Sequence, residues 1–274
     1  MRRLRDINDR QKTSVQEGRY SEAGHRILKK AALFILIFFI AAKAYAREPR
    51  IVSLAPNTTE ILFALGLADC VVAVDRYSDY PEEAKNIKRL GDFNDPSIED
   101  LILLRPGYIL VNTDMPADRR SYLEGLGVKI VKVSPKTVEG LFHDIERLGD
   151  LFNRRHKASE LTEAIKVRLK ALPADKGKNK PKVFIQLFDD PLVTASSFIS
   201  DVIRLAGGEN ISSDIKEDAG LFSMEELIKR DPDIIIMIGF SSGSVIPASV
   251  RAVRDNRIIR NINPDILLRP GQEQ

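Results

Sequence analysis

The chain has 274 residues, 43% hydrophobic and 30% charged, with 42 Lys and Arg against 39 Asp and Glu. The formal charge of +3 is a property of the first 46 residues, which hold 10 of the basic and 4 of the acidic side chains; the other 228 hold 32 and 35. That remainder offers no basic face for nucleic acid, and a single cysteine, Cys70, excludes an intramolecular disulfide.

Residues 1–30 are rich in Arg and Lys, an apolar run follows from Ala31 to Ala42, and Ala44-x-Ala46 places small residues where a signal peptidase cuts. The run is too short to cross a hydrocarbon core of ~30 Å comfortably. Residues 1–46 are therefore expected to be a secretory signal, with an uncleaved anchor as the alternative. The rest is large enough for one large or two small domains.

Arg50-Ile-Val-Ser-Leu54 reads as a buried strand, followed by a loop and a helix ending at Gly66. Cys70, within Asp69-Cys-Val-Val72, reads as a small buried apolar side chain. Ser97-Ile-Glu-Asp-Leu-Ile-Leu-Leu-Arg-Pro106 has a Ser N-cap, an acidic third helical position and a Pro stop, and the strand Tyr108-Ile-Leu-Val111 comes next. A helix around Tyr122–Leu126 and a strand over Lys129–Val133 complete this part. From Thr137 to Leu172 there is no Pro, and apolar residues recur at helical spacing, with a second helix over Ala158–Leu172. Pro173 to Pro181 is a polar, Lys-rich linker.

The pattern then repeats. Lys182-Val-Phe-Ile-Gln-Leu187 is a strand, a helix ends at Gly207-Gly208, and Ser223-Met-Glu-Glu-Leu-Ile-Lys-Arg-Asp-Pro232 leads into Asp233-Ile-Ile-Ile-Met237. A helix at Val250–Arg254 and a strand at Ile258–Ile262 follow. Strands and helices alternate in both halves, which predicts an α/β chain with two lobes built on parallel sheets. The expected organisation is an N-terminal lobe over 47–136, an inter-lobe helical region and linker over 137–181, and a C-terminal lobe over 182–274. Two lobes on one stiff helix make a cleft, and ligands favour such interfaces.

The chemistry is that of binding. No Gly-rich phosphate loop, nucleophile elbow or His-Glu-x-x-His motif is present. Asp189-Asp190 is a carboxylate pair in a loop after a strand, more suited to reaching a cleft than to acid–base work. Of three histidines, His25 lies in the leader and His143 and His156 in the helical region, too few and too scattered for a bare metal ion. No cofactor and no catalytic residue is expected.

Several runs together resemble the periplasmic receptors of vitamin B12 and iron-siderophore importers. They are Arg50-Ile-Val-Ser-Leu-Ala-Pro-Asn57 with Thr59-Glu60, Tyr77-Ser-Asp-Tyr-Pro81, Val183-Phe-Ile-Gln186 and Gly207-Gly-Glu-Asn210, and the likeness extends over about 49–271. The Tyr77 run is most similar to the cobalamin-binding members. The resemblance implies two lobes joined by a single long backbone α-helix. It implies a monomeric periplasmic receptor that holds a cobalt corrinoid in its cleft and hands it to an ABC permease of the inner membrane. A ferric siderophore or haem is the alternative ligand. By the same resemblance Tyr77, Phe93, Asp265 and Arg269 would contact ligand, and Glu99 and Glu225, at equivalent positions of the two copies, would dock on the permease. The chain lacks Trp altogether, and Ala219 or Gly220 stands where the family has one. The family also continues past Arg269-Pro-Gly271 with a final helix, so the C-terminal lobe is expected to be short at its end.

Overall fold

The structure is a computed structural model and describes residues 48–91, 96–172, 179–238 and 246–262. The leader, Phe93, Asp265 and Arg269 lie outside the described residues.

The first sheet, A, contains β1 (Ile51–Ser53), β2 (Val71–Val74), β3 (Tyr108–Val111) and β4 (Lys129–Lys132), in the order β2-β1-β3-β4, all parallel. Alternate side chains of its strands feed two cores. Ile51, Val71 and Leu110 point to one, Val52, Ile109 and Val111 to the other. Both faces are covered, which is why these strands read as continuous apolar runs. Helix α1 (Pro56–Ala64) starts on a proline, whose missing N–H costs nothing there, and Gly66 at φ +70° turns the chain back. Cys70 is buried in the core, as its setting predicts.

Helices α2 (Ile98–Leu104) and α3 (Ala117–Gly125) lie between these strands in the chain. The inter-lobe region is two helices, α4 (Val138–Leu151) and the longer α5 (Arg155–Ala171). Leu141, Ile145 and Leu148 of α4 are buried in the first core, and Leu161 and Ile165 of α5 pack against it. Asn153, at φ +56°, makes the break between them; asparagine tolerates that left-handed conformation better than most residues.

The second sheet, B, contains β5 (Lys182–Asp189), β6 (Leu192–Ala195), β7 (Glu209–Asn210), β8 (Ala219–Leu221), β9 (Ile234–Ile238) and β10 (Ile258–Ile262). Its order is β10-β9-β5-β6-β8, with β7 beside the start of β5. Helices α6 (Phe198–Leu205), α7 (Met224–Arg230) and α8 (Arg251–Arg254) complete the lobe. The parallel pairing expected here holds for β10, β9, β5 and β7. Strands β6 and β8 depart from it and pair antiparallel. Only Asp190 and Pro191 separate β5 from β6, and so short a connection can only reverse the chain.

The internal duplication reaches the backbone. Ser97 Oγ accepts from Asp100 N at 3.2 Å, and Ser223 Oγ accepts from Glu226 N at 3.0 Å. Both helices end on a non-glycine residue in the left-handed region, Arg105 at φ 45° and Asp231 at φ 44°. The proline that follows each of them disfavours continued helix.

Candidate functional site, an inter-lobe cleft

The contacts that join the lobes gather at the carboxyl end of sheet A. Lys136, just past β4, reaches both oxygens of Asp218 at 2.7 and 2.8 Å. Two residues on, the backbone N–H of Val138 donates to Asp201 of α6 at 2.8 Å. A carboxylate suits that place, because Val138 opens α4 and the helix dipole is positive there. Phe198 packs against the cores of both lobes. Asp218 immediately precedes β8, the last strand in the order of sheet B, so β8 starts at this junction. In open parallel sheets ligands lie beyond the carboxyl ends of the strands.

On the N-terminal lobe, the segment after β2 carries Tyr77. Its scaffold is a buried chain of hydroxyls. Asp75 N donates to Ser53 O at 3.1 Å, and the Asp75 carboxylate accepts from Ser78 Oγ. Ser78 Oγ lies 2.9 Å from Thr59 Oγ1, which donates to Ser53 Oγ at 2.8 Å. Arg89 clamps the outside, donating to the carbonyls of Asp75 and Arg76 at 3.1 and 2.9 Å. Burial pushes the Asp75 carboxyl above its usual range, while the Ser78 hydroxyl and the Tyr77 and Ser78 amides pull it back. Tyr77 itself remains 44% exposed, with the Arg76 guanidinium 5.7 Å from its ring centroid. An exposed ring on a rigid base can present its face to a ligand.

On the C-terminal lobe, Asp189 accepts from the amide of buried Gln186. The carboxylate pair therefore spans the end of β5 and the start of the turn to β6. Asn210, in the Gly207-Gly-Glu-Asn210 run, is buried; its amide donates to Ala195 O at 2.9 Å and Ser200 Oγ at 2.8 Å. It ties β7 to the entry of α6. His143 and His156 stand on exposed faces of α4 and α5 beside Glu139 and Glu160.

Glu99 and Glu225 are the second residues of α2 and α7, and both are exposed. Their neighbours Asp100 and Glu226 differ in a telling way. Asp100 is paired with Lys88 at 2.5 Å, and Glu226 with Arg230 at 2.9 Å and Lys229 at 3.1 Å. These bonds hold both carboxyls below the usual range. Helix capping explains Asp100 and Glu226, and internal pairing occupies them. Glu99 accepts only from its own N-cap, Ser97 Oγ at 3.3 Å, among the described contacts, and both Glu99 and Glu225 are open to solvent.

Sequence reasoning did not single out Lys136, Asp218 or Asp201, because these partners meet only in the folded chain. It also missed two exposed apolar residues of sheet B, Phe188 and Leu221.

A family model described as periplasmic binding protein matches residues 51–263. The chain is 32% identical over 222 residues to the vitamin B12-binding protein of Yersinia pseudotuberculosis, covering 78% of each. Among solved structures it is similar to the periplasmic vitamin B12-binding protein of Vibrio cholerae, with a TM-score of 0.70 and 29% identity over 81% of this chain and 90% of that one. The periplasmic haem-binding protein of the same organism gives a TM-score of 0.69 and 25% identity over 81% and 92%. With two α/β lobes, a helical connection and these matches in hand, the chain belongs to the periplasmic binding protein family.

Proposed function

We propose that this protein is the receptor of an ABC importer, binding cobalamin or a related corrinoid in the inter-lobe cleft and delivering it to the permease. The observation that carries the reading is Tyr77, an exposed ring on a segment whose flanking Asp75 and Ser78 are held by a buried chain to Thr59 and Ser53, in a run that the sequence likeness associates with cobalamin. A large, flat ligand needs apolar area more than it needs charge, and the exposed Tyr77 ring supports such a contact. The similarity to a haem-binding structure favours haem or a ferric chelate as the second reading. Both ligands are bulky chelates that one cleft can hold.

Outward Glu99 and Glu225, one per lobe, support docking on basic residues of a membrane permease. Charged groups at both ends of a docking face fix orientation and speed encounter more than they add affinity. The receptor acts by binding and release and needs no catalytic group. It works as a monomer in the periplasm, with residues 1–46 as its export signal. Phe93, Asp265 and Arg269 are proposed as further ligand contacts.

Calorimetry of the purified protein with cyanocobalamin, haemin and a ferric siderophore tests the reading. Saturable one-to-one binding of cyanocobalamin is expected. Tight binding of a ferric chelate without cobalamin binding would transfer the assignment to the second ligand class. Turnover of a ligand would sink the receptor reading.

A further inference from the structure

The amino ends of the sheet B strands, at the other end of the lobe from the cleft, carry a second concave surface. Lys182 opens β5, Glu209 opens β7, and Asp233 and Arg257 come one residue before β9 and β10. These four strands are neighbours and parallel, so their amino ends form one rim. Strand β5 has eight residues, and seven steps of ~3.3 Å put this rim about 23 Å from Asp189 at the strand's far end. The rim borders an open cavity of about 690 Å³, which Lys180 and Arg251 also line. That volume is in the range of small-molecule clefts.

The charges within it do not balance. Asp233 is already engaged: one oxygen accepts from the backbone N–H of Lys182 at 2.8 Å and the other from Arg251 Nη1 at 2.6 Å. Those bonds hold its carboxyl below the usual range and fix the rim in place. Lys182 Nζ reaches only a carbonyl, that of Arg230 at 3.3 Å, which leaves its charge uncompensated. The side chains of Lys180 and Arg257 have no hydrogen bond or ion pair among the described residues. Three cations therefore line the cavity against one further carboxylate, Glu209, which lies opposite Lys182 in the strand register. This local excess of positive charge lies in a sequence whose residues 47–274 hold 32 basic and 35 acidic side chains.

Concave walls lined by one sign of charge concentrate the field and draw in counter-ions. Arginine supplies a planar fork and lysine a mobile ammonium, and both suit phosphate oxygens. An excess of two charges matches a phosphate better than a single carboxylate. We infer that this cavity is a second binding site, separate from the inter-lobe cleft, for a phosphate-bearing anion, with Arg257, Lys182 and Lys180 as its donors. A soluble polyphosphate and the headgroup of an anionic phospholipid offer the same chemistry, and the test separates them.

Inorganic pyrophosphate is titrated into the purified protein at low ionic strength and followed by calorimetry. In parallel, the protein is sedimented with phosphatidylcholine vesicles that contain or lack phosphatidylglycerol. Saturable pyrophosphate binding assigns a soluble ligand; sedimentation that requires phosphatidylglycerol, without pyrophosphate binding, assigns a headgroup. In either arm Arg257→Gln and Lys182→Gln should each weaken binding at least five-fold. Glu209→Gln should strengthen it, a gain that damaged folding cannot produce. Lys85→Gln, which removes an exposed cation of the N-terminal lobe, should change nothing. Cyanocobalamin affinity should be unaltered in all of these variants, because rim and cleft lie at opposite ends of the lobe. Absence of binding in both arms, or binding indifferent to Arg257→Gln and Lys182→Gln, would overturn the inference and leave the receptor reading standing.

Discussion

The Asp75 carboxylate lies buried beneath the Tyr77 segment, and the cost of burying its charge raises its pKa above 3.8. The folded state therefore holds the proton more tightly than the unfolded chain. The associated stability is complete below 3.8 and is lost as pH rises through the folded value. Asp75→Asn keeps an oxygen for Ser78 and removes the charge. It should be more stable than the parent to urea at neutral pH, with the difference closing below 3.8. A variant less stable at every pH would mean that the buried amide is worse served than the carboxylate. Tyr77→Ala leaves this scaffold in place and removes only the exposed ring, so cyanocobalamin affinity should fall about ten-fold, ~1.4 kcal/mol, with unfolding unchanged. The Tyr77 run was singled out by its distinctive residues, and its ligand contact is a proposal. The support beneath it was not legible, since Ser53, Thr59 and Ser78 read as ordinary hydroxyls until folding stacks them.

At the scale of elements, helices α4 and α5 meet through a contact that admits no side chain. A Cβ on Gly149 would stand 2.5 Å from Ala158 Cβ. Alanine is favoured over glycine inside a helix by about 1 kcal/mol, but overpacking a tight contact costs roughly 1–3 kcal/mol. The steric term should win, so Gly149→Ala is expected to lower stability. Adding Ala158→Gly should recover most of the loss, a coupling that a double-mutant cycle by urea denaturation would measure. The two helices were readable as apolar periodicity, and the capped helices as Ser-to-Pro spacing. Strands β2, β6, β7 and β8 were not identified. Leu192–Ala195 and Ala219–Leu221 have only four and three residues, too few to display a period of two against the surrounding polar sequence. Their antiparallel pairing follows from the two-residue Asp190-Pro191 connection, whose consequence is visible only once β6 is known to be a strand.

Across the whole molecule the duplication was legible from Ser97 and Ser223 outward, and it places Glu99 and Glu225 alike. Glu99→Arg and Glu225→Arg should leave ligand affinity unchanged and reduce permease association at least ten-fold each, measured by co-purification with the transporter in detergent. Ligand affinity lost in either variant would assign that glutamate to the cleft instead. The exposed apolar pair of sheet B was less legible, because Phe188 and Leu221 are 33 positions apart in sequence and are brought onto one row only through strand register. The junction between lobes has a mechanical meaning as well. Lys136–Asp218 and Val138–Asp201 are two rivets set two residues apart on one lobe, with Phe198 packed against both cores. The rivets are unlike: Lys136–Asp218 is an exposed ion pair that salt weakens, whereas the other is a hydrogen bond from a helix N-terminus to a largely covered carboxylate. Added salt should therefore slacken the first rivet and leave the second.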